Sequence, residues 1–230
     1  MDPPGITYYR EIEQGTPAWG DIRRGVVTAS AIKVLITPTG KLADNDTSRN
    51  YLRELLAQRI LGVSESGYYD DNMANGHIFE PLARDYYSQH KAPVVECGFI
   101  KRDYGAFCIG YSPDGLVGND GLIEIKSRLA KLHLANIFDQ KIPAQHLIQV
   151  QTGLAVSGRE WHDYVSFSPG LPLLTIRAYR HEPLIKTIEA AAAQAEERLQ
   201  EMMERYLSMA EDMPPTDPII QSSFTDEDII

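Results

Sequence analysis

The sequence predicts an α/β domain, with helices and strands mixed along the chain. Two observations carry that expectation. Apolar residues recur at helical spacing in four stretches, near 48–61, 73–89, 143–155 and 182–212, and runs rich in β-branched and aromatic residues, near 94–100, 106–111, 161–168 and 173–180, fall between them. At 230 residues, with 43% hydrophobic and 23% charged residues, the chain has the size and composition of one well-buried domain. We place that domain at 1–212 and treat 213–230, which is acidic and contains Ser, Thr and Pro, as a flexible tail or a partner-binding segment.

Taken in order, residues before Gly15 read as an irregular arm. Thr16 and Pro17 supply the N-cap and first residue of a short helix carrying Trp19, Asp21, Arg23 and Arg24, which Gly25 ends. A second helix is expected after Thr28-Ala29-Ser30, running to Leu35. Amide groups at its start, with Arg23 upstream, suit an anion; two capped helices and a surface arginine fit the same residues. Pro38 to Asp46 is a polar loop. Ser48–Leu61 is amphipathic, with Tyr51, Leu52, Leu55, Leu56 and Ile60 on one stripe and Gly62 past its end. After a loop from Val63 to Asn72, Met73–Gln89 forms a helix with Phe79, Leu82, Ala83 and Tyr86 as its apolar stripe and Glu80 beside it.

Val94–Ile100 and Ala106–Tyr111 read as strands joined by a turn at Lys101–Gly105. Leu129–Ile142 is partly helical, and Pro143 opens a helix through Ala155 that Gly158 terminates. Gln145, Gln149 and Thr152 recur on one of its faces, as a polar surface or as contacts to phosphate and bases. Trp161–Ser168 and Leu173–Arg180 are two further strands. Glu182–Asp212 is one long helix with Leu184, Ile188, Ala191, Ala195, Leu199, Met202, Met203 and Tyr206 buried, stopped by Met213-Pro214-Pro215.

The chemistry concentrates between Cys108 and Ser127, C-I-G-Y-S-P-D-G-L-V-G-N-D-G-L-I-E-I-K-S. Two apolar runs flank a loop with glycines and Asn119-Asp120, so two adjacent strands are expected. In the second, Ile123 and Ile125 alternate with Glu124 and Lys126, which places the carboxylate and the ammonium on one face. Asp114 then lies beside Glu124. Paired carboxylates suit a hard divalent cation, and a nearby ammonium suits a water that attacks a phosphodiester. P-D-x9-E-x-K is a nuclease signature of that chemistry; S-P-D-G as a common turn and I-E-I-K as an amphipathic edge strand are the plainer reading of the same residues.

The net charge of −10 runs against a nucleic-acid partner until its distribution is considered. Glu211, Asp212, Asp217, Asp226, Glu227 and Asp228 stand in the last twenty residues with no Lys or Arg among them. Directly after the proposed catalytic strand, Lys126, Arg128, Lys131 and Lys141 face only Asp139. Such a local rim can hold a phosphate backbone despite the negative total. No apolar run approaches a membrane span, Met-Asp-Pro-Pro-Gly is not a secretory pattern, and Cys97 and Cys108 have no metal-like spacing. An intracellular protein follows as the expectation. The chain holds no P-loop, Gly110–Asp114 lacks the closing glycine of G-x-S-x-G, and His181-Glu182 has Ile185 where a zincin needs histidine.

Together with Trp19-x3-Arg23-x-Gly25-x2-Thr28-Ala29-Ser30, Gly76-x3-Glu80 and Gln149-Val150-Gln151, these motifs make the chain resemble alkaline exonucleases of the phage lambda exonuclease type, from about Gly15 to about Ser168. The resemblance implies the α/β restriction-endonuclease-like fold with a PD-(D/E)XK core, a central mixed β-sheet flanked by helices, and a Mg²⁺-dependent enzyme, with Mn²⁺ tolerated. Such an enzyme enters at a double-stranded DNA end and digests the 5′-ended strand, leaving 3′ single strands for recombination. It further implies Asp114, Glu124, Ile125 and Glu80 as the metal set, with Asp114, Glu124, Glu80 and Lys126 catalytic and Lys126 acting on the water. By the same resemblance Arg23, Thr28, Ser30, Ser112 and Gln149 hold the terminal 5′-phosphate, and Met73 parts the strands. A homotrimeric ring around DNA, a single-strand annealing partner and the cytoplasm of a bacterial or phage-infected cell are implied as well. The position before Gly76 is Asn75, a departure from the family pattern. A PD-(D/E)XK endonuclease and a non-catalytic DNA-end-binding module are the competing expectations.

Overall fold

The computed structural model describes residues 3–37, 39–63 and 71–216, with the side chains of 71–77 outside the description. Two sheets organise it. The first has the order β1 (Ile6–Tyr9), β4 (Phe99–Asp103), β5 (Cys108–Tyr111) and β2 (Val27–Thr28). The second, central and mixed, has the order β3 (Val94–Val95), β6 (Gly115–Val117), β7 (Gly121–Ser127), β8 (Trp161–Phe167) and β9 (Leu174–Tyr179). Strands β7 and β8 are parallel, with Glu124 opposite Tyr164 and Lys126 opposite Ser166. A parallel pair requires a crossover, and helices α4 (Ala130–Asp139) and α5 (Ala144–Ser157) supply it.

Helices pack on both sides of the sheets. Against the first sheet and the back of β7 lie α2 (Asp46–Leu61), α5 and the long α6 (Glu182–Ala210), in a core that includes Leu52, Leu55, Ile100, Ile109, Leu122, Leu154, Ile188 and Leu199. Against the other face of β7 lies α3 (Asp71–His90), where Ala83 and Tyr87 meet Val117, Ile123, Ile125, Val165 and Phe167. Strand β7 is therefore buried from both faces. Its Ile123 and Ile125 point to α3, and Leu122 and Glu124 point the opposite way, as period-two alternation requires. Among the described residues no helix is long and apolar enough to cross a membrane.

Several boundaries differ from expectation. Residues 6–9, read as irregular, form β1 because Ile-Thr-Tyr-Tyr is a β-prone run that finds an antiparallel partner in β4, Tyr8 opposite Ile100. The helix expected after Ser30 is only a 3-10 turn at Ile32–Leu35, preceded by β2, so no α-helix N-terminus faces Arg23 there. The turn between β4 and β5 falls after Asp103 rather than at Lys101, closed by Tyr104 N–H to the Phe107 carbonyl at 2.9 Å. On α3, Leu82 and Tyr86 are exposed at 47% and 50% while Ala83 and Tyr87 are buried; a broad apolar arc hid which edge of it turns inward. The largest difference concerns the expected hairpin: β5 does not pair with β7. The chain leaves the first sheet at Tyr111 and enters the second at Gly115, and the hairpin is β6–β7, turning at Gly118–Asp120.

Helix α1 (Pro17–Arg23) has Thr16 as its N-cap, accepting from Trp19 N at 3.3 Å, with Pro17 at its start. It leans on β4 and carries Trp19 and Arg23 toward the link between the sheets. That approach depends on Gly110, opposite Thr28 in the parallel β2–β5 pair. A Cβ there would stand 2.1 Å from Phe99 Cζ, and Phe99 is fully buried. We expect Gly110→Ala to lower stability by about 1–3 kcal/mol, the usual result of overpacking a filled core. Urea unfolding measures it; an unchanged midpoint would show that Phe99 has room to yield.

Candidate active site

Three consecutive residues, Ser112, Pro113 and Asp114, join the two sheets, and each is held by a different element. Ser112 Oγ accepts from Arg23 Nη1 at 2.6 Å and from Trp19 Nε1 at 3.1 Å. The Pro113 carbonyl accepts from Gln14 Nε2 at 2.8 Å. The Asp114 carbonyl accepts from Arg84 Nε on α3 at 2.9 Å. The link is thereby fixed from the N-terminal arm, from α1 and from α3.

Strand β6 begins only at Gly115, opposite Ile123, so β7 beyond Ile123 has main-chain groups that β6 does not reach. Asp114 occupies that gap with its side chain: Oδ2 accepts from the Ile125 amide at 2.5 Å. This bond brings Asp114 to Glu124. Glu124 is 1% exposed and fully engaged: Oε1 accepts from Lys126 Nζ and from Gln149 Nε2, both at 2.6 Å, and Oε2 accepts from Tyr111 OH at 3.0 Å. Burial, and then the negative charges of Glu124 and Glu80, hold the Asp114 carboxyl well above the ordinary carboxylate range. Burial opposes the charge on Lys126, but Glu124 and Asp114 outweigh it and raise its pKa, so the ammonium form is favoured.

Glu80 is close enough to act on Asp114 electrostatically, and its carboxylate is bound to Arg84 at 2.6 Å. Arg84 also pairs with Glu96 at 2.8 Å. Among the described residues no group of three or more His, Cys, Asp or Glu side chains stands already gathered for a metal. The site's oxygen donors are thus Asp114, Glu124, the Ile125 main chain between Glu124 and Lys126, and Glu80 swung onto Arg84.

The expected phosphate-binding residues form a second cluster one link residue away. Arg23 is stacked over Trp19, its guanidinium carbon 4.0 Å from the ring centre, and makes no ion pair among the described residues. Burial lowers its pKa to about 10, with Tyr51 partly opposing. Thr28 and Ser30 hydroxyls lie 3.4 Å apart, beside Gly110 through the β2–β5 pairing, and the Thr28 amide donates to Tyr51 OH at 3.4 Å. Arg23 is thus tied directly to Ser112 and, through Tyr51, to Thr28, whose hydroxyl neighbours that of Ser30. Gln149 is turned away from this cluster, onto Glu124. Met73 lies among residues 71–77, outside the described side chains.

Sequence reasoning missed four contributors. Tyr111 touches Glu124, His162 lies behind Tyr111, and Arg84 grips both Glu80 and the Asp114 main chain. The fourth, His146, hydrogen-bonds Arg128, and burial followed by Lys126, Arg128 and Lys33 pushes its pKa down to about 3. A neutral His146 marks where Lys126 and Arg128 of the expected rim converge with Lys33 of the 3-10 turn. Only the position of Tyr111, two residues before the P-D pair, gave any signal.

This combination defines the class first: a split mixed sheet, helices on both faces and a P-D…E-x-K set at the central strand are the restriction-endonuclease-like PD-(D/E)XK fold. Within that class, the chain belongs to the YqaJ-like viral recombinase domain family, whose model matches residues 18–160. Among solved structures it is similar to an alkaline exonuclease from Laribacter hongkongensis, LHK-Exo, with 32% identity over 86% of this chain and 100% of that one and a TM-score of 0.76. LHK-Exo in complex with dAMP matches at 33% identity over 86% and 100% of the two chains, with a TM-score of 0.77. A phage-related exonuclease from Haemophilus somnus shares the fold at 16% identity over 78% and 96%, TM-score 0.61. No curated protein matches the chain in sequence.

The raised pKa of Asp114 carries a pH dependence. Its protonated form is favoured in the fold, so its contribution to stability is complete below the ordinary carboxylate range and is lost as pH rises through the raised value. In EDTA at pH 8 we expect Asp114→Asn to be more stable than wild type by about 1 kcal/mol, as is common when an active-site charge is removed. That gap should close as pH falls, and urea unfolding across pH 5–8 measures it. A gap that widens toward acid would contradict the burial of charge at Asp114.

Proposed function

We propose that this protein is a DNA exonuclease that hydrolyses the 5′-ended strand of a duplex from its end, with Asp114, Glu124 and Lys126 at the scissile phosphodiester. The observation that carries the reading is the convergence of two carboxylates and one ammonium on β7, reached through the Ser112–Asp114 link. Family membership and the likeness to LHK-Exo support it.

The donor set fits a hard divalent cation. It offers oxygen atoms only, and the carboxyl held high at Asp114 marks a site short of positive charge. Asp114, Glu124, the Ile125 carbonyl and Glu80, once released from Arg84, would hold Mg²⁺, with Mn²⁺ as a substitute. The ion would supply Lewis-acid polarisation of the phosphodiester. Lys126, as an ammonium 2.6 Å from Glu124, orients the attacking water by donating to it. Gln149 and Tyr111 keep Glu124 in place meanwhile.

The exonuclease reading, as distinct from cutting within a strand, rests on Arg23. A buried guanidinium stacked on Trp19, bonded to a neutral hydroxyl and lacking a carboxylate among the described residues, is a site for an anion. With Thr28, Ser30 and Ser112 it suits the doubly charged phosphate of a strand terminus. Ser112 and Asp114 are two residues apart, at most about 7 Å of chain, so a terminal phosphate on Ser112 leaves the next phosphate within reach of Asp114. Water attack there frees a nucleotide and leaves a new 5′-phosphate, which can occupy the same pocket. Gln149, bonded to Glu124, serves the carboxylate rather than the phosphate pocket, and Met73 remains in the proposal as a strand-parting residue. A homotrimeric ring and a single-strand annealing partner complete it, supported by the family resemblance.

A linear duplex labelled separately at each strand terminus, run beside a covalently closed circle with Mg²⁺ and then EDTA, tests the reading. We expect metal-dependent loss of 5′-terminal nucleotides from the linear duplex alone. Cutting of the circle would replace it with an endonuclease, and no metal-dependent product with a binding module. Lys126→Ala should lower cleavage by about 10²–10⁴-fold with DNA binding retained in a gel-shift assay. Arg23→Ala should lower the preference for 5′-phosphorylated over 5′-hydroxyl ends by about tenfold or more, the loss of a charge-assisted hydrogen bond, and shorten the digested tract. An Arg23→Ala enzyme with the wild-type preference would refute the pocket.

A further inference from the structure

Behind Glu124 lies a chain of buried groups to which the mechanism above gives only a brief part. Tyr111, 1% exposed, donates its hydroxyl to Glu124 Oε2 at 3.0 Å, and the same hydroxyl lies 3.1 Å from His162 Nε2. His162 is fully buried, and its Nδ1 faces the Val150 carbonyl at 3.0 Å. A carbonyl only accepts, so Nδ1 carries the ring proton and, in the neutral ring that burial favours, Nε2 is an acceptor aimed at Tyr111. The two rings meet edge to face, with centres 5.8 Å apart.

The fold makes room for this pair at a cost. Gly153 stands in the middle of α5, where glycine is about 1 kcal/mol less favourable than alanine. A Cβ at that position would lie 2.9 Å from Tyr111 Cε1 and 3.0 Å from His162 Cε1. The helix can approach β5 and β8 at this point only because residue 153 lacks a side chain.

We infer that Tyr111 and His162 are positioning residues for Glu124. Tyr111 fixes the orientation of the carboxylate, and His162, anchored on Val150, fixes Tyr111, with Gly153 keeping the space they share. The hydroxyl has one proton and two acceptors. It donates to Glu124 when Oε2 needs a partner and to His162 Nε2 when a cation occupies Glu124, so the proton has an acceptor within reach in either state. This inference rests on the reading of Glu124 as a cation ligand.

The test is direct Mn²⁺ binding to the DNA-free protein, read by the electron paramagnetic resonance signal of free Mn²⁺. It is made on wild type, Glu124→Gln, Tyr111→Phe and Gly153→Ala, with thermal unfolding in EDTA as a check on the fold. Wild type is expected to bind and Glu124→Gln to lose binding. Tyr111→Phe, which keeps the ring, should bind about tenfold more weakly with its unfolding midpoint preserved, and Gly153→Ala, which keeps every polar group but displaces the ring, should weaken binding similarly. If Glu124→Gln binds like wild type, the ligand reading fails and the inference with it. If Glu124→Gln loses binding while Tyr111→Phe and Gly153→Ala bind like wild type, the inference alone is overturned.

Discussion

Asp114 and Glu124 carry like charge into one buried corner, and much of the surrounding structure is arranged to tolerate it. Asp114 is brought there because β6 stops short and the Ile125 amide needs an acceptor. Glu124 is brought there by the alternation of β7, which has to bury Ile123 and Ile125 against α3. Lys126, Gln149 and Tyr111 then share the carboxylate oxygens of Glu124 between them. The repulsion that remains appears as the raised pKa of Asp114. A fold retains such a strain where function requires it, and under the proposed function a divalent cation would relieve it.

The change of sheets between Tyr111 and Gly115 ties this corner to the Arg23 cluster. One side of the link, at Ser112, belongs to the guanidinium of Arg23, and the other, at Asp114, to the carboxylates of β7. Gln14 and Trp19 from the N-terminal region and Arg84 from α3 hold the link from residues distant from it in sequence. Under the proposed function, recognition of a strand end and cleavage beside it would share this one segment, with the distance between them set by the backbone.

The parts of the fold that were legible in the sequence are those with strong local chemistry. Thr16-Pro17 at the start of α1, Gly62 after α2 and Gly158 after α5 mark their helices as expected, the last two in the left-handed conformation at φ 68° and 72°. The pairing of Asp114 with Glu124 was also legible, through the alternation around Ile123 and Ile125. The partnering of strands was not. Cys108–Tyr111 and Gly121–Ser127 look like the arms of one hairpin, but register is decided by long-range packing, which placed them in different sheets. Gln149 and Glu80 were read by residue type, yet their partners, Glu124 and Arg84, are set by side-chain geometry that spacing does not encode. Tyr111 and His162 gave little signal because one buried tyrosine or histidine resembles any other until its neighbours are known.

The central claim is that the buried carboxylate pair is completed by a divalent cation. The most direct measurement is the thermal unfolding midpoint of the DNA-free protein against Mg²⁺ concentration, for wild type and for Asp114→Asn. A cation that binds only the folded state stabilises it by about 2.7 kcal/mol at a hundred times its dissociation constant. We predict a midpoint that climbs with Mg²⁺ in wild type and stays flat in Asp114→Asn. Equal response of the two proteins, or no response in either, would contradict the claim.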